Sequence, residues 1–218
     1  MRTRNWICAS LMVLSLSTVS YSQDETQKME LTGGYSYVNF HPGIPKITSQ
    51  NLNGGGISFV YNVVHYVGLK ADFEAYALGT GWSKALQNAG YPGTISVSGN
   101  VFTYLFGADF KKPEGRFQPF GEVLVGASHS NGYGTLLKQI CVSVSGCVST
   151  TSSSNNGFAM EFGGGLDIPV SEHVQIRPVE ADFLLTHYGS NLGLNGYSAY
   201  QKNFKYFAGI NFTFGGSI

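Results

Sequence analysis

The chain has 218 residues, with 13 Lys+Arg against 13 Asp+Glu and a formal net charge of zero, a balance that gives no reason to expect nucleic acid as a partner. Its 29 Gly, 15 Phe and 13 Tyr, with only 12% charged residues, argue against disorder and suit an aromatic-rich, close-packed β structure. Beyond the first residues there is no run of 18 or more apolar residues, which excludes transmembrane helices.

The chain opens MRTRN and continues WICASLMVLSLSTV, with Ser20 and Ser22 just before Gln23. A basic start, a short apolar core and a small-x-small site predict a secretory signal over residues 1–22, removed on export. An anchor helix is the alternative, but an apolar run of about 14 residues falls short of the roughly 20 needed to span. Cys8 lies inside that core and not at a lipoprotein cleavage site. The mature domain, residues 23–218, loses Arg2 and Arg4 and keeps 11 basic against 13 acidic residues.

Eight alternating segments follow. The first is Met29–Phe40, with Leu31, Tyr35 and Tyr37 on one face. The second, Gly54–Asn62, turns Ile57, Phe59 and Tyr61 outward. The third, Val67–Leu78, sets Leu69, Ala71 and Phe73 against Lys70, Asp72, Glu74 and Tyr76. The fourth, Asn100–Phe110, puts out Phe102, Tyr104, Phe106 and Phe110; the fifth, Phe117–Ser128, puts out Val123 and Val125 and turns Glu122 in. The sixth, Gly157–Ile168, alternates Phe158, Met160 and Phe162 against Glu161 and Asp167. The seventh, Val174–Leu185, breaks parity: Val174 and Ile176 are even, Ala181, Phe183 and Leu185 odd. Pro178 lies between and cannot donate a ladder hydrogen bond, so a bulge is expected near Arg177–Pro178. The eighth, Asn203–Phe214, carries Phe204, Tyr206, Ala208, Ile210, Phe212 and Phe214 on one face and mostly polar or small residues on the other.

A strand sends alternate side chains to opposite faces, and a bilayer-crossing strand needs about 9–11 residues with an apolar outer face and aromatic ends. Connections alternate short (63–66, 111–116, 169–173) and long (41–53, 79–99, 129–156, 186–200). Together these features predict an all-β, eight-stranded antiparallel transmembrane up-and-down β-barrel. Its short turns would face the periplasm and its long loops the outside.

The stretches GGYSYVNF (Gly33–Phe40), LKADFEAY (Leu69–Tyr76), QPFGEVLVGAS (Gln118–Ser128), RPVEADFLLTHYG (Arg177–Gly189) and NFKYFAGINFTFG (Asn203–Gly215) resemble the small OmpA-like outer-membrane β-barrel family. The resemblance implies residence in the outer membrane of a Gram-negative-type bacterium, contact with outer-membrane lipid, and assembly by the barrel-assembly machinery. Phe212 and Phe214 resemble the C-terminal aromatic signal that this machinery reads. Larger relatives carry a peptidoglycan-binding domain, which is not expected here.

Lys70, Glu74, Glu122, Glu161, Arg177, Glu180, Asp182 and Lys205 fall on lumen parity. Carboxylates can do acid–base work. An eight-stranded barrel, however, is only wide enough for its own side chains, so these charges are expected to pair as a structural network. Arg177 is expected to be its hub, serving Glu122, Glu161, Glu180 and Asp182. The excess of acids leaves room for protonated carboxyls, waters or bound cations. No cofactor or metal site is assigned.

Cys141 and Cys147 read as a disulfide closing a small exported loop, since no neighbouring ligands suggest metal. In the connection over 79–99, GWSKALQNAG (Gly81–Gly90) has the pattern of a helical turn. HYGSN, His187–Asn191, is similar to the His-x-Ser-Asn motif of lipid A deacylase barrels. Its spacing is longer by one residue, and no acid follows it. The function expected is non-enzymatic, a structural or surface-interaction role through the outer loops toward an unidentified ligand. The alternatives are a narrow pore for ions or small solutes and a lipid A esterase.

Overall fold

A computed structural model describes residues 27–44, 46–47, 49–78, 81–90, 99–143, 155–188 and 198–217. The expected signal segment, Cys147 and Ser190–Asn191 lie outside the described residues. Eight strands pair antiparallel in sequence order: β1 (Gln27–Phe40), β2 (Gln50–Val64), β3 (Val67–Ala77), β4 (Asn100–Lys111), β5 (Gln118–Ser130), β6 (Asn155–Ser171), β7 (Val174–Tyr188) and β8 (Tyr200–Ser217). β8 returns to β1 and closes the barrel.

Period-two patterning explains the result. On β8, Phe204, Tyr206, Ile210 and Phe212 are exposed, while Asn203, Lys205, Phe207, Asn211 and Thr213 are buried. A soluble fold would invert this arrangement; a lipid-facing barrel requires it. Most strands run longer than the apolar pattern suggested, whereas β3 ends one residue earlier, at Ala77. β2 begins at Gln50 because Asn51 and Asn53 pair with Asn39 and Tyr37, and the Asn39 amide donates to Asn51 Oδ1 at 3.1 Å. Polar pairs of this kind carry no hydrophobic alternation to be read.

The ladder that leaves β1 at Glu30 passes through Val60, Lys70, Gly107, Leu124, Glu161 and Leu184 to Asn203 on β8. Glu30 itself pairs with Thr213, ten residues further along β8. With strands roughly 4.8 Å apart and rising about 3.3 Å per residue, that stagger tilts them by about 40°. The β7 bulge is present. Arg177 pairs with Gly209 and Glu180 with Phe207, so three steps on β7 match two on β8. Pro178 and Val179 therefore both face outward, and Arg177, Glu180 and Asp182 all face inward.

Among the described residues, two helices lie in the long connections. α1 (Gly81–Asn88) fills the stretch expected to hold a helical turn. α2 (Tyr133–Ser143) lies in the long connection over 129–156, where no helix is expected from the sequence. Flanking Gly and Ser residues hid it. Its signal was Leu136, Leu137 and Ile140, which share one helical face and are fully buried. Ser130 Oγ accepts from Tyr133 N–H at 3.1 Å and satisfies a free donor of the first turn.

The lipid-facing surface gives a direct test. Phe106 stands at mid-strand, 55% exposed, between Ala71 and Val125. Phe106→Arg should lower the folding free energy in bilayers by about 2–4 kcal/mol, as read by urea titration. An unchanged midpoint would place this face in water.

Candidate functional site in the barrel lumen

The lumen is stratified. At the long-loop end, Trp82 and Leu86 of α1 and Tyr133, Leu136, Leu137 and Ile140 of α2 pack with Val38, Phe40, Leu52, Tyr76, Val101 and Tyr188 from the strand ends. The Phe40 ring lies 6.0 Å from Trp82 and 6.0 Å, edge-on, from Tyr133. Tyr133 donates to the Pro42 carbonyl, and Gln201 Nε2 donates to the Tyr133 oxygen at 3.3 Å. Directly beneath, Tyr76 donates to Glu74 Oε2, and its oxygen lies 2.9 Å from Ser36 Oγ. An apolar layer thus lies at the long-loop end, above a polar interior.

The middle layer holds two lysines. Lys70 Nζ lies 2.6 Å from Glu122 Oε2 and 3.6 Å from Glu180 Oε1. Lys205 Nζ lies 2.7 Å from Glu161 Oε1, 3.1 Å from Asp182 Oδ2, 3.2 Å from Glu180 Oε1 and 3.5 Å from Glu74 Oε1. Gly163 makes this packing possible: a Cβ there would stand 2.2 Å from Asp182 Oδ1.

Arg177 governs the layer nearest the short turns. Its Nε and Nη2 donate to the two oxygens of Asp167 at 2.7 and 2.9 Å, and its Nη1 donates to Glu180 Oε2 at 2.6 Å. The guanidinium also lies 4.0 Å from the centre of the Phe120 ring. Lys111 Nζ reaches Glu30, and it lies 2.8 Å from Asp167 Oδ2. Asn211 Nδ2 donates to Glu30 Oε2 at 2.6 Å, and Asn62 Nδ2 to Glu30 Oε1 at 3.0 Å. Outside the barrel wall, the turn residue Glu114 accepts from Tyr66 at 2.7 Å and lies 3.1 Å from His65 Nε2. The Tyr66 hydroxyl in particular holds its carboxyl below the usual carboxylate range.

All eight charged residues expected in the lumen are buried there. Their connections differ from expectation in one respect. Arg177 does not serve Glu122, Glu161 or Asp182: Glu122 belongs to Lys70, and Glu161 and Asp182 belong to Lys205. Glu180 is the joint, with one oxygen on Arg177 and the other facing both lysines. Sequence parity gives a residue's face but not its height, and the stagger puts Arg177 below Glu122 and Glu161.

Six further members went unassigned: Glu30, Asp72, Asp109, Lys111, Asp167 and Asn211, all buried. Asp72 and Asp167 carried the signal, as inward-parity acids. Lys111 was lost by ending the fourth strand one residue early. Among the described residues, the lumen holds nine carboxylates (Glu30, Asp72, Glu74, Asp109, Glu122, Glu161, Asp167, Glu180 and Asp182) against Lys70, Lys111, Arg177 and Lys205. His187 shares the outward parity of Phe183 and Leu185, and its ring lies 4.3 Å from Tyr200.

The two-oxygen grip on Asp167 makes Arg177 the test of this layer. Removing one side of a buried pair costs about 3–5 kcal/mol, so Arg177→Ala should lower the urea midpoint clearly. Arg177→Lys keeps the charge but loses the paired donors and should fall between. Equal stability of all three proteins would remove the pairing from the folding energetics.

The model of the outer membrane protein beta-barrel domain family matches residues 7–215. No curated protein sequence matches the chain. Among solved structures, Neisserial surface protein A is similar at TM-score 0.54 and 11% identity, over 86% of this chain and 97% of that one. The attachment invasion locus protein Ail of Yersinia pestis matches at TM-score 0.48 and 12% identity, over 87% and 99%. OprG from Pseudomonas aeruginosa matches at TM-score 0.47 and 14% identity, over 88% and 98%. With the closed eight-stranded lattice, the lipid-facing exterior and this match over nearly the whole sequence, the chain belongs to the outer membrane protein beta-barrel domain family and resides in the outer membrane of a Gram-negative-type cell.

Proposed function

We propose that the protein is a non-enzymatic, non-conducting barrel that acts as a rigid membrane anchor for its outer loops, in a structural or surface-interaction role. The stratified lumen carries this reading. Ion pairs fill the middle and the short-turn end, and an apolar layer supported by α1 and α2 lies at the other end. An eight-stranded interior is just wide enough for side chains, and here they are bound to one another. Ion transit would require breaking Lys205 and Lys70 away from their carboxylates and wetting the layer around Trp82.

Esterase chemistry needs a base and a nucleophile within hydrogen-bond reach. His187 faces outward against Tyr200, away from the lumen acids. Phe212 and Phe214, both on the exposed face of β8, fit the aromatic signal read during assembly. Cys141, in the last turn of α2, packs against the apolar layer, and a bridge to Cys147 would tie that turn to the following loop.

In planar bilayers the purified barrel should show no discrete conductance steps. Stable single-channel steps from the unaltered protein would replace this reading with the pore. The cysteines should give no free thiol until reduction. Losing the bridge should shift the melting temperature little, because so short a closed loop removes little chain entropy. Free thiol in the oxidised protein would dismiss the bridge.

A further inference from the structure

Glu122, Glu161, Glu180 and Asp182 come from three strands, and each offers a carboxylate oxygen such that all four oxygens lie within 4.8 Å of one another. The two lysines do not saturate this group. Lys70 takes Glu122 Oε2, Lys205 takes Glu161 Oε1 and lies 3.1 Å from Asp182 Oδ2, and Glu180 is shared by Arg177 and both lysines, so each acid has at least one cation-facing oxygen. Glu122 Oε1, Glu161 Oε2 and Asp182 Oδ1 are left buried without a hydrogen-bond donor. Asp72, outside the four, also has a buried oxygen without a donor, and its other oxygen lies 3.9 Å from Lys70 Nζ. Buried charge without a partner is costly, so a closed lumen with this excess of acids requires further positive charge.

We propose that these four carboxylates form a binding site for a single calcium ion. Calcium takes six to eight oxygens at about 2.3–2.6 Å, so oxygens around one ion lie up to roughly 4.8 Å apart. Magnesium requires about 2.0–2.1 Å and near-ideal octahedral geometry, and it gives up its waters reluctantly, which this spread and dry setting disfavour. Softer metals prefer nitrogen or sulfur, and the site offers only oxygen. Among the described lumen residues nine carboxylates face four cations, an excess of five negative charges when all are ionised, and one divalent cation balances two of them. The site does not depend on whether the barrel conducts.

A plugged lumen admits an ion most easily while the barrel forms, so the test is made at folding. The mature chain is folded into micelles with about 1 mM calcium or with a chelator, then desalted, and its metal content is measured by mass spectrometry. The expected result is about one calcium per barrel, undisturbed by excess magnesium, and a melting temperature several degrees higher than after folding in chelator. Glu122→Gln with Asp182→Asn should abolish both effects. Where that pair fails to fold, Glu161→Gln, whose amide oxygen can still accept from Lys205, gives the same reading. A folded wild-type barrel that retains no calcium and melts identically after either treatment overturns the proposal and leaves protons as the neutralising charge. Calcium retained equally by the folded variants also overturns it, by placing the ion elsewhere.

Discussion

Glu180 is the contact on which the interior depends. Its two oxygens face three cations: Arg177 on one side, Lys70 and Lys205 on the other. Each cation in turn holds another acid, Asp167, Glu122 or Glu161. A barrel wall fixes its inward side chains at set heights and angles, and a charge enclosed there has no water to retreat to. The network is therefore cooperative, since loss of one member leaves several others uncompensated. Glu180 reaches that position only because the bulge at Pro178 returns β7 to lumen parity after Arg177.

The apolar layer solves a different problem. The charged lumen would hydrate if its mouth were open, and hydration would weaken every pair inside. Trp82, Leu136, Leu137 and Ile140, carried on helices, form a buried apolar layer at that end. Packing and pairing therefore support each other: an apolar layer at that end keeps the local dielectric low, which strengthens the ion pairs beneath it.

Much of this was legible in the chain. A period-two pattern with aromatics outward revealed the membrane, the strand number and the inward face, because lipid imposes one rule along every strand. The Pro178 bulge was readable as a parity change. Heights were not readable. A stagger of ten residues is a property of eight pairings together, so no single strand shows that Arg177 meets Asp167 and not Glu122. Lys111 lies one residue past the end expected for the fourth strand, Glu30 has the inward parity opposite Leu31 and went unassigned despite it, and α2 was hidden by the Gly and Ser around it.

The seam between β1 and β8 has a consequence for the order of events in folding. Thr32 donates to Asn211 across 179 positions of sequence, and Asn211 also holds Glu30. Until those two ends meet, both outermost strands expose a full row of unpaired backbone groups, and the lowest charge layer lacks a wall. An incomplete sheet is thus a template for association with other chains and gains little from its interior pairs. Closure is the step that converts a chain of hairpins into a stable body. Contacts of such long range are reached slowly, so the half-built protein needs shelter for as long as that step takes.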